Sequence, residues 1–212
     1  MRELRGPEVS AIMEKEIDSL NSKDLRLCIY MIGRNEASAI YARSKVRKGE
    51  KLGIETVVRE YESGTDQDTV MEDLESDADS DDVDGIMIER PVPPNMDLDI
   101  LTKAIPPFKD VEGLNPVNYG YLARGDPVIV PPTALGAVIL MLHYGIDPEG
   151  KDVAVLGRSV NVGKPLAFLL SSKRAFGNST VTQLHSRTKD ADNKLLQSDI
   201  IFSAVGKPGI VN

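Results

Sequence analysis

Val153–Leu170 reads VAVLGRSVNVGKPLAFLL. An apolar run ends at Gly157, a short turn follows, and Gly163 and Pro165 open a second apolar stretch with helical spacing. Pro165 suits an early helical position, where its missing N–H costs nothing. A strand, a glycine turn and a helix in this order place free backbone N–H groups and a helix dipole where they can receive a pyrophosphate. The spacing departs from G-x-G-x-x-G, because Ser159 stands at the middle glycine. A plain strand-to-helix turn would need only one structural glycine, so the surrounding pattern has to decide. After the helix come STVTQLHS (179–186), a helical stretch near DADNKLLQS (190–198) and DIIFSAVG (199–206). That completes a βαβαβ unit with a parallel sheet.

The same alternation occurs earlier. LRLCIYMIG (25–33) is too apolar to have a wet face and reads as a buried parallel strand. SAIYARSKVRKGEKLG (38–53) reads as a helix opened by Ser38 and closed by Gly49 or Gly53. IETVVREY is a strand, TDQDTVMEDLES an acidic helix, VDGIMIERPVPP a strand stopped by prolines, and MDLDILTKAI a short helix. A helix over residues 7–20 precedes them all. Between the two halves, residues 106–133 are rich in proline and predict little regular structure. Two α/β domains result, 1–117 and 118–212, each with a parallel sheet, the second of Rossmann type.

Composition narrows the function. The chain has 212 residues, 41% of them hydrophobic, which is ample for packed cores. Its net charge of −8 argues against nucleic acid as a partner. The basic cluster Arg43, Arg47, Lys48 and Lys51 reads as a solvated helix face. Cys28 is the only cysteine and reads as a small core residue. His143 and His185 show no ligand spacing, so no metal site is expected. The acidic run ESDADSDDVD (75–84) lacks the glycine and glutamate positions of a calcium loop and reads as solvated. No secretory leader or membrane span is apparent, and a cytoplasmic protein is expected.

The nucleotide can be specified further. Proteins that bind NAD usually end the second strand with an acid that holds the ribose 2′-hydroxyl. Here that strand ends in His185, Ser186 and Arg187, and Arg158 lies in the glycine turn. Guanidinium groups and hydroxyls suit a 2′-phosphate, so NADP is the expected cofactor.

Tyr41 and Lys45 stand four apart and share a helix face. A Tyr-x-x-x-Lys pair occurs in short-chain dehydrogenases, but there it follows the glycine turn within one domain. Here Lys45 precedes Gly157, in another domain. A different set of motifs fits: EASAIYARSK, DGIMIERPVPPNMD, IPPFKDVEGLNPVNYG, PPTALGAV, VLGRSVNVGKP, HSRT and SAVGKP, in this order. From about Leu25 onward the chain resembles the methylenetetrahydrofolate dehydrogenase/methenyltetrahydrofolate cyclohydrolase family.

The resemblance implies two α/β domains with a cleft between them, tetrahydrofolate derivatives beside the first domain and NADP on the second. It implies oxidation of 5,10-methylenetetrahydrofolate, hydrolysis of the methenyl product to 10-formyltetrahydrofolate, a role in purine biosynthesis, and a homodimer. It makes Lys45 the ionisable group of the hydrolysis, Tyr41 a platform for the aminobenzoyl ring, Ser38 a substrate-side residue and Asp110 the carboxylate for the pterin N–H groups. A helix or turn cap is the plain alternative for Asp110. On the cofactor side it points to Gly157, Arg158, Ser159, Gly163, Lys164, Pro165, Ser186 and Arg187.

Two positions depart from the family. Glu89 stands where the family has Gln, and a carboxylate there favours the charged ammonium of Lys45, which predicts weakened hydrolysis. The family's PCTP is PPTA at 131–134, a variation expected to be tolerated. The family also continues past the point matching Asn212, which predicts an incomplete second domain and one missing wall of the site. Two other readings stay open: a different two-domain dehydrogenase, and a nucleotide-binding remnant without activity.

Overall fold

Two apolar runs, Arg26–Ile32 and Asp152–Leu156, each become the middle strand of a three-stranded parallel sheet. The computed structural model describes residues 3–20, 24–33 and 35–211. The outermost residues of the two expected domains, 1–2 and 212, lie outside that range. The element order is α1 (Gly6–Asp18), β1 (Arg26–Ile32), α2 (Glu36–Leu52), β2 (Glu55–Tyr61), α3 (Gln67–Asp79), β3 (Gly85–Ile88), α4 (Leu98–Ala104) and α5 (Pro116–Ala123). Then come α6 (Pro132–His143), β4 (Asp152–Leu156), α7 (Gly163–Ser171), β5 (Thr180–Leu184), α8 (Ala191–Leu196) and β6 (Ile200–Ser203). Residues 10–116 form one compact unit, and 117–212 with the segment up to Val9 form the other.

In the first unit the strand order is β2-β1-β3. Side chains alternate across a strand, so Cys28, Tyr30 and Ile32 face Val70 and Leu74 of α3 and Leu101 of α4. All six are buried, and each large apolar side chain stabilises the unit by roughly 1.5–3 kcal/mol. Ile29, on the opposite face, is also buried, where α2 packs against β1 and β2. Helix α2 starts earlier than its first hydroxyl suggested. The Asn35 side chain accepts the N–H of Ser38 and caps the helix, which places Ser38 in the first turn. Gly53, with φ of +73°, ends it. Gly49 lies inside the helix, and a Cβ there would sit 2.2 Å from the Thr56 hydroxyl.

The acidic run is not solvated throughout. α3 continues to Asp79, and Asp77 is buried on its inward face. Its carboxylate takes both ends of the Arg59 guanidinium, at 2.6 and 2.5 Å, and the Tyr30 hydroxyl at 2.7 Å. Burial works to raise the Asp77 carboxyl, but the hydrogen bonds from Arg59 and Tyr30 outweigh it and hold it below the usual carboxylate range. Lys109 is buried too. Its ammonium donates to the carbonyls of Asp77, Ala78 and Ser80 at 3.3, 2.7 and 2.6 Å, satisfying the open end of α3.

The second unit has the order β5-β4-β6. Val153 and Val155 face α6 and α7 through Val138, Leu166 and Leu170, while Ala154 and Leu156 meet Leu184 and Leu195. Helix α5 is an addition to the sequence reading, which expected little regular structure there. Pro116 at its first position is a helix-start signal that the surrounding prolines masked. The segment up to Val9 was expected with the first domain. It groups with the second unit, where the Arg5 N–H donates to the Tyr144 hydroxyl at 2.9 Å and Glu8 lies 3.1 Å from the same oxygen.

Candidate active site and nucleotide cavity

In a parallel sheet, ligand sites gather beyond the carboxyl ends of the strands. β1 and β3 both deliver their successors there. After β1 the chain turns into α2, whose face carries Tyr41 and Lys45. After β3 the next residue is Glu89, with its N–H donating to the Tyr30 carbonyl at 2.8 Å. Lys45 and Glu89 meet as a hydrogen-bonded ion pair. The Glu89 side chain is 9% exposed and that of Lys45 is 36% exposed. The carboxylate is therefore the inner partner and the ammonium the outer one. Tyr41 is 66% exposed, one turn earlier on the same helix.

Ser38 is buried, and its hydroxyl donates to the Arg90 carbonyl at 2.8 Å. This bond ties the first turn of α2 to the residue after Glu89, so it fixes both partners of the ion pair. Asp110 is also buried, 1% exposed, and forms an isolated parallel bridge with Ile86 of β3. Its carboxylate accepts the N–H of Glu112 at 3.2 Å and that of Asn115 at 2.8 Å. Those bonds shape the loop as a turn cap does, and they use two of the roughly four acceptor sites of a carboxylate. Glu112, two residues on in the same loop, is a part-buried carboxylate that the motifs do not single out. Burial raises its pKa above the ordinary glutamate value; Arg90 and Lys45 oppose the rise, and Glu89 and Asp110 reinforce it. Two cations and three carboxylates thus share one neighbourhood.

The basic cluster on α2 is partly neutralised. Lys48 and Lys51 both pair with Glu14 of α1, Lys51 at 2.9 Å. Among the described residues no group of three metal-ligating side chains is found, and no helix is long and apolar enough to cross a membrane. Burial pushes the Cys28 thiol up to about 11, which leaves it a protonated core residue.

In the second unit the glycine turn is built by close backbone approach. A Cβ on Gly163 would lie 2.3 Å from the Gly157 carbonyl oxygen, and one on Gly157 would lie 2.8 Å from that of Ala204. Gly157 also has φ of +118°, open to glycine alone. The Ser159 hydroxyl accepts the N–H groups of Val162 and Gly163, at 3.2 and 3.4 Å, at the start of α7. Tyr119 steadies the turn by donating its hydroxyl to the Val160 carbonyl at 3.1 Å. Pro165 is buried in the first turn of α7, and Lys164 beside it is exposed.

Beside the turn lies a cavity of about 480 Å³. Arg158, Ser159, His185, Ser186 and Lys207 give it polar groups, and Leu156, Leu184, Val205 and Ile210 give it apolar walls. None of its lining residues is acidic. A turn that only glycine can form, a cavity of nucleotide size and a lining of donors without carboxylates fit a dinucleotide with a 2′-phosphate. Arg187 is exposed and does not line the cavity, although its backbone N–H donates to His185 Nδ1 at 3.2 Å.

Comparison with known proteins agrees with both halves. Residues 4–112 match the family model of the tetrahydrofolate dehydrogenase/cyclohydrolase catalytic domain. Residues 131–212 match that of the tetrahydrofolate dehydrogenase/cyclohydrolase NAD(P)-binding domain. The chain is 39% identical over 203 residues to the bifunctional protein FolD of Macrococcus caseolyticus, covering 95% of this chain and 71% of that protein. Among solved structures, the bifunctional FolD enzyme of Campylobacter jejuni superposes with a TM-score of 0.92 at 31% identity, over 99% of this chain and 75% of that one. The Trypanosoma brucei dehydrogenase-cyclohydrolase, complexed with NADP cofactor and an inhibitor, gives 0.90 at 30% identity, over 100% and 75%.

Proposed function

The chain belongs to the tetrahydrofolate dehydrogenase/cyclohydrolase family, and from that membership we propose that it oxidises 5,10-methylenetetrahydrofolate with NADP and hydrolyses the 5,10-methenyl product to 10-formyltetrahydrofolate. When bound, NADP supplies the hydride acceptor. The folate nitrogens stabilise the cation that hydride loss leaves, so the protein's part in that step is chiefly positioning.

Tyr41, exposed on α2, offers its ring face to the aminobenzoyl group. Lys45 lies one helical turn away, where it reaches the reacting end of the same ligand. Ser38 acts from behind, locking α2 to the Glu89–Arg90 segment, and Asp110 is the carboxylate for the pterin N–H groups, held in its loop by the N–H groups of Glu112 and Asn115. Glu112, whose pKa burial raises, lies beside it in the same loop. The glycine turn, Arg158, Ser159 and Ser186 hold the dinucleotide, with Gly157, Gly163 and Pro165 setting backbone shape and Lys164 adding charge at the helix start.

Hydrolysis sets a harder demand. Water must add to the methenyl carbon, lose a proton and let the bond to N5 open. An ammonium already paired with Glu89 is badly placed to take that proton. The Lys45–Glu89 pair therefore carries the specific reading: oxidation is the stronger activity, and hydrolysis is slow relative to it. A monofunctional dehydrogenase is the limiting form of the same reading.

One-carbon metabolism supplying purine biosynthesis is the proposed setting, with a cytoplasmic location and assembly as a homodimer. The family membership supports these, and light scattering checks the dimer. The activity is tested by following NADP reduction with methylenetetrahydrofolate and then decay of the methenyl absorbance. The variant Glu89→Gln is expected to raise the ratio of decay to reduction. An unchanged ratio removes the role given to Glu89, and no reduction by the native protein removes the dehydrogenase reading.

A further inference from the structure

With Arg187 outside the cavity, a second cation comes from a residue that the sequence motifs left without a role. Lys207 lines the same cavity as Arg158 and Ser186. Its backbone is set by its neighbours. Gly206 and Gly209 have φ of +62° and +69°, in the left-handed region, and Pro208 restricts Lys207 to extended conformations. The root of this loop is fixed as well. The Ala204 N–H donates to the Leu156 carbonyl at 2.8 Å, and the Ala204 carbonyl closes on the missing side chain of Gly157. Lys207 is therefore carried on a loop packed against the glycine turn.

The division of labour follows from where each group sits. The pyrophosphate is served by the glycine turn and the start of α7. The ribose 2′ position belongs at the end of the second strand of the unit, which here is His185 and Ser186 at the end of β5. His185 Nδ1 already accepts the Arg187 N–H, which leaves the Nε2 side to donate. No carboxylate lines the cavity to receive a free 2′-hydroxyl.

We infer that Lys207 is a specificity-determining residue which, together with Arg158, provides the positive charge that receives the 2′-phosphate and separates NADP from NAD. The inference rests on the proposed use of NADP. Arg158 supplies a planar fork for the phosphate and Lys207 a mobile point charge.

Calorimetric titration of the native protein and of Lys207→Gln with adenosine 2′,5′-bisphosphate and with 5′-AMP tests it without turnover. The substitution is expected to weaken the bisphosphate by roughly tenfold, the weight of one partly exposed charge-assisted contact, and to leave 5′-AMP nearly unaffected. Lys207→Arg is expected to keep most of the affinity. Equal losses for both ligands would assign Lys207 to the 5′-phosphate and overturn the inference, as would no loss. Should Lys207→Gln unfold, salt dependence of the native protein decides. The bisphosphate has to lose affinity with salt more steeply than 5′-AMP, and parallel slopes overturn the inference. A native protein that binds the two ligands equally overturns NADP preference along with the role of Lys207. One that binds neither overturns the nucleotide site itself.

Discussion

Asp77 and Glu89 are both buried carboxylates of the first unit, and each is held by a cation from a neighbouring element. Asp77 is saturated. Arg59 grips both its oxygens, Tyr30 donates from beneath, and the adjoining carbonyls are covered by Lys109. Glu89 is held by Lys45, beside the exposed ring of Tyr41 and the carboxyl of Glu112. The two cations are about equally exposed, Arg59 at 38% and Lys45 at 36%, so the difference lies in what engages each carboxylate. Asp77, with three hydrogen bonds, holds elements together, whereas Glu89, met by one movable ammonium, can exchange partners with a ligand. The difference separates architecture from chemistry more reliably than residue type does, since both pairs are carboxylate and base.

The sharpest way to break the comparison is Lys45→Met. Hydrolysis of the methenyl compound per folded molecule is expected to fall by about a hundredfold or more, the weight of a lost proton-handling group, beyond any stability lost by leaving the Glu89 carboxylate unpaired. Unchanged hydrolysis would place Lys45–Glu89 with the structural pair. Next in size is Asp77→Asn. Weakening the charge-assisted hydrogen bonds to Arg59, whose side chain is 38% exposed, is expected to cost about 2 kcal/mol in urea unfolding, with activity per folded molecule preserved. The pH dependence has a definite sign. The Asp77 carboxyl is held below its unfolded value, so its contribution is complete above about pH 4 and is lost as pH falls through the folded-state value. The Asn variant should therefore show a flatter acid limb. The smallest effect is expected from Tyr30→Phe, which removes one hydroxyl from Asp77. A loss of about 1–2 kcal/mol in the same unfolding measurement is anticipated, and none at all would mean that Arg59 alone saturates Asp77.

Much of the fold was legible because its signals are local. Apolar runs such as that at β1, the glycine turn and the alternation of strands with helices are all readable within a dozen residues. What escaped was settled by distant partners. Asp77 looked solvated because Arg59 and Tyr30, which claim it, lie 18 and 47 residues away in sequence. Ser38 and Asp110 were picked out by motif, and the folded chain adds the backbone partners that hold both side chains. Glu112 was not singled out because nothing local in Asp-Val-Glu marks which carboxylate burial and the charges of Arg90, Lys45 and Glu89 perturb. The Lys45–Glu89 contact was anticipated from the substitution at position 89, and the two side chains do meet.

The stacked backbones at Gly163, Gly157 and Ala204 have a consequence for adaptability. Three segments meet there with no side chain between them, so no rotamer can adjust the shape of the phosphate turn. Its geometry is an all-or-nothing inheritance. The rim is a different matter: Arg158, Ser186 and Lys207 project from that frame without shaping it. Cofactor preference can therefore be rewritten at the rim, one exchangeable side chain at a time, while the frame stays as it is.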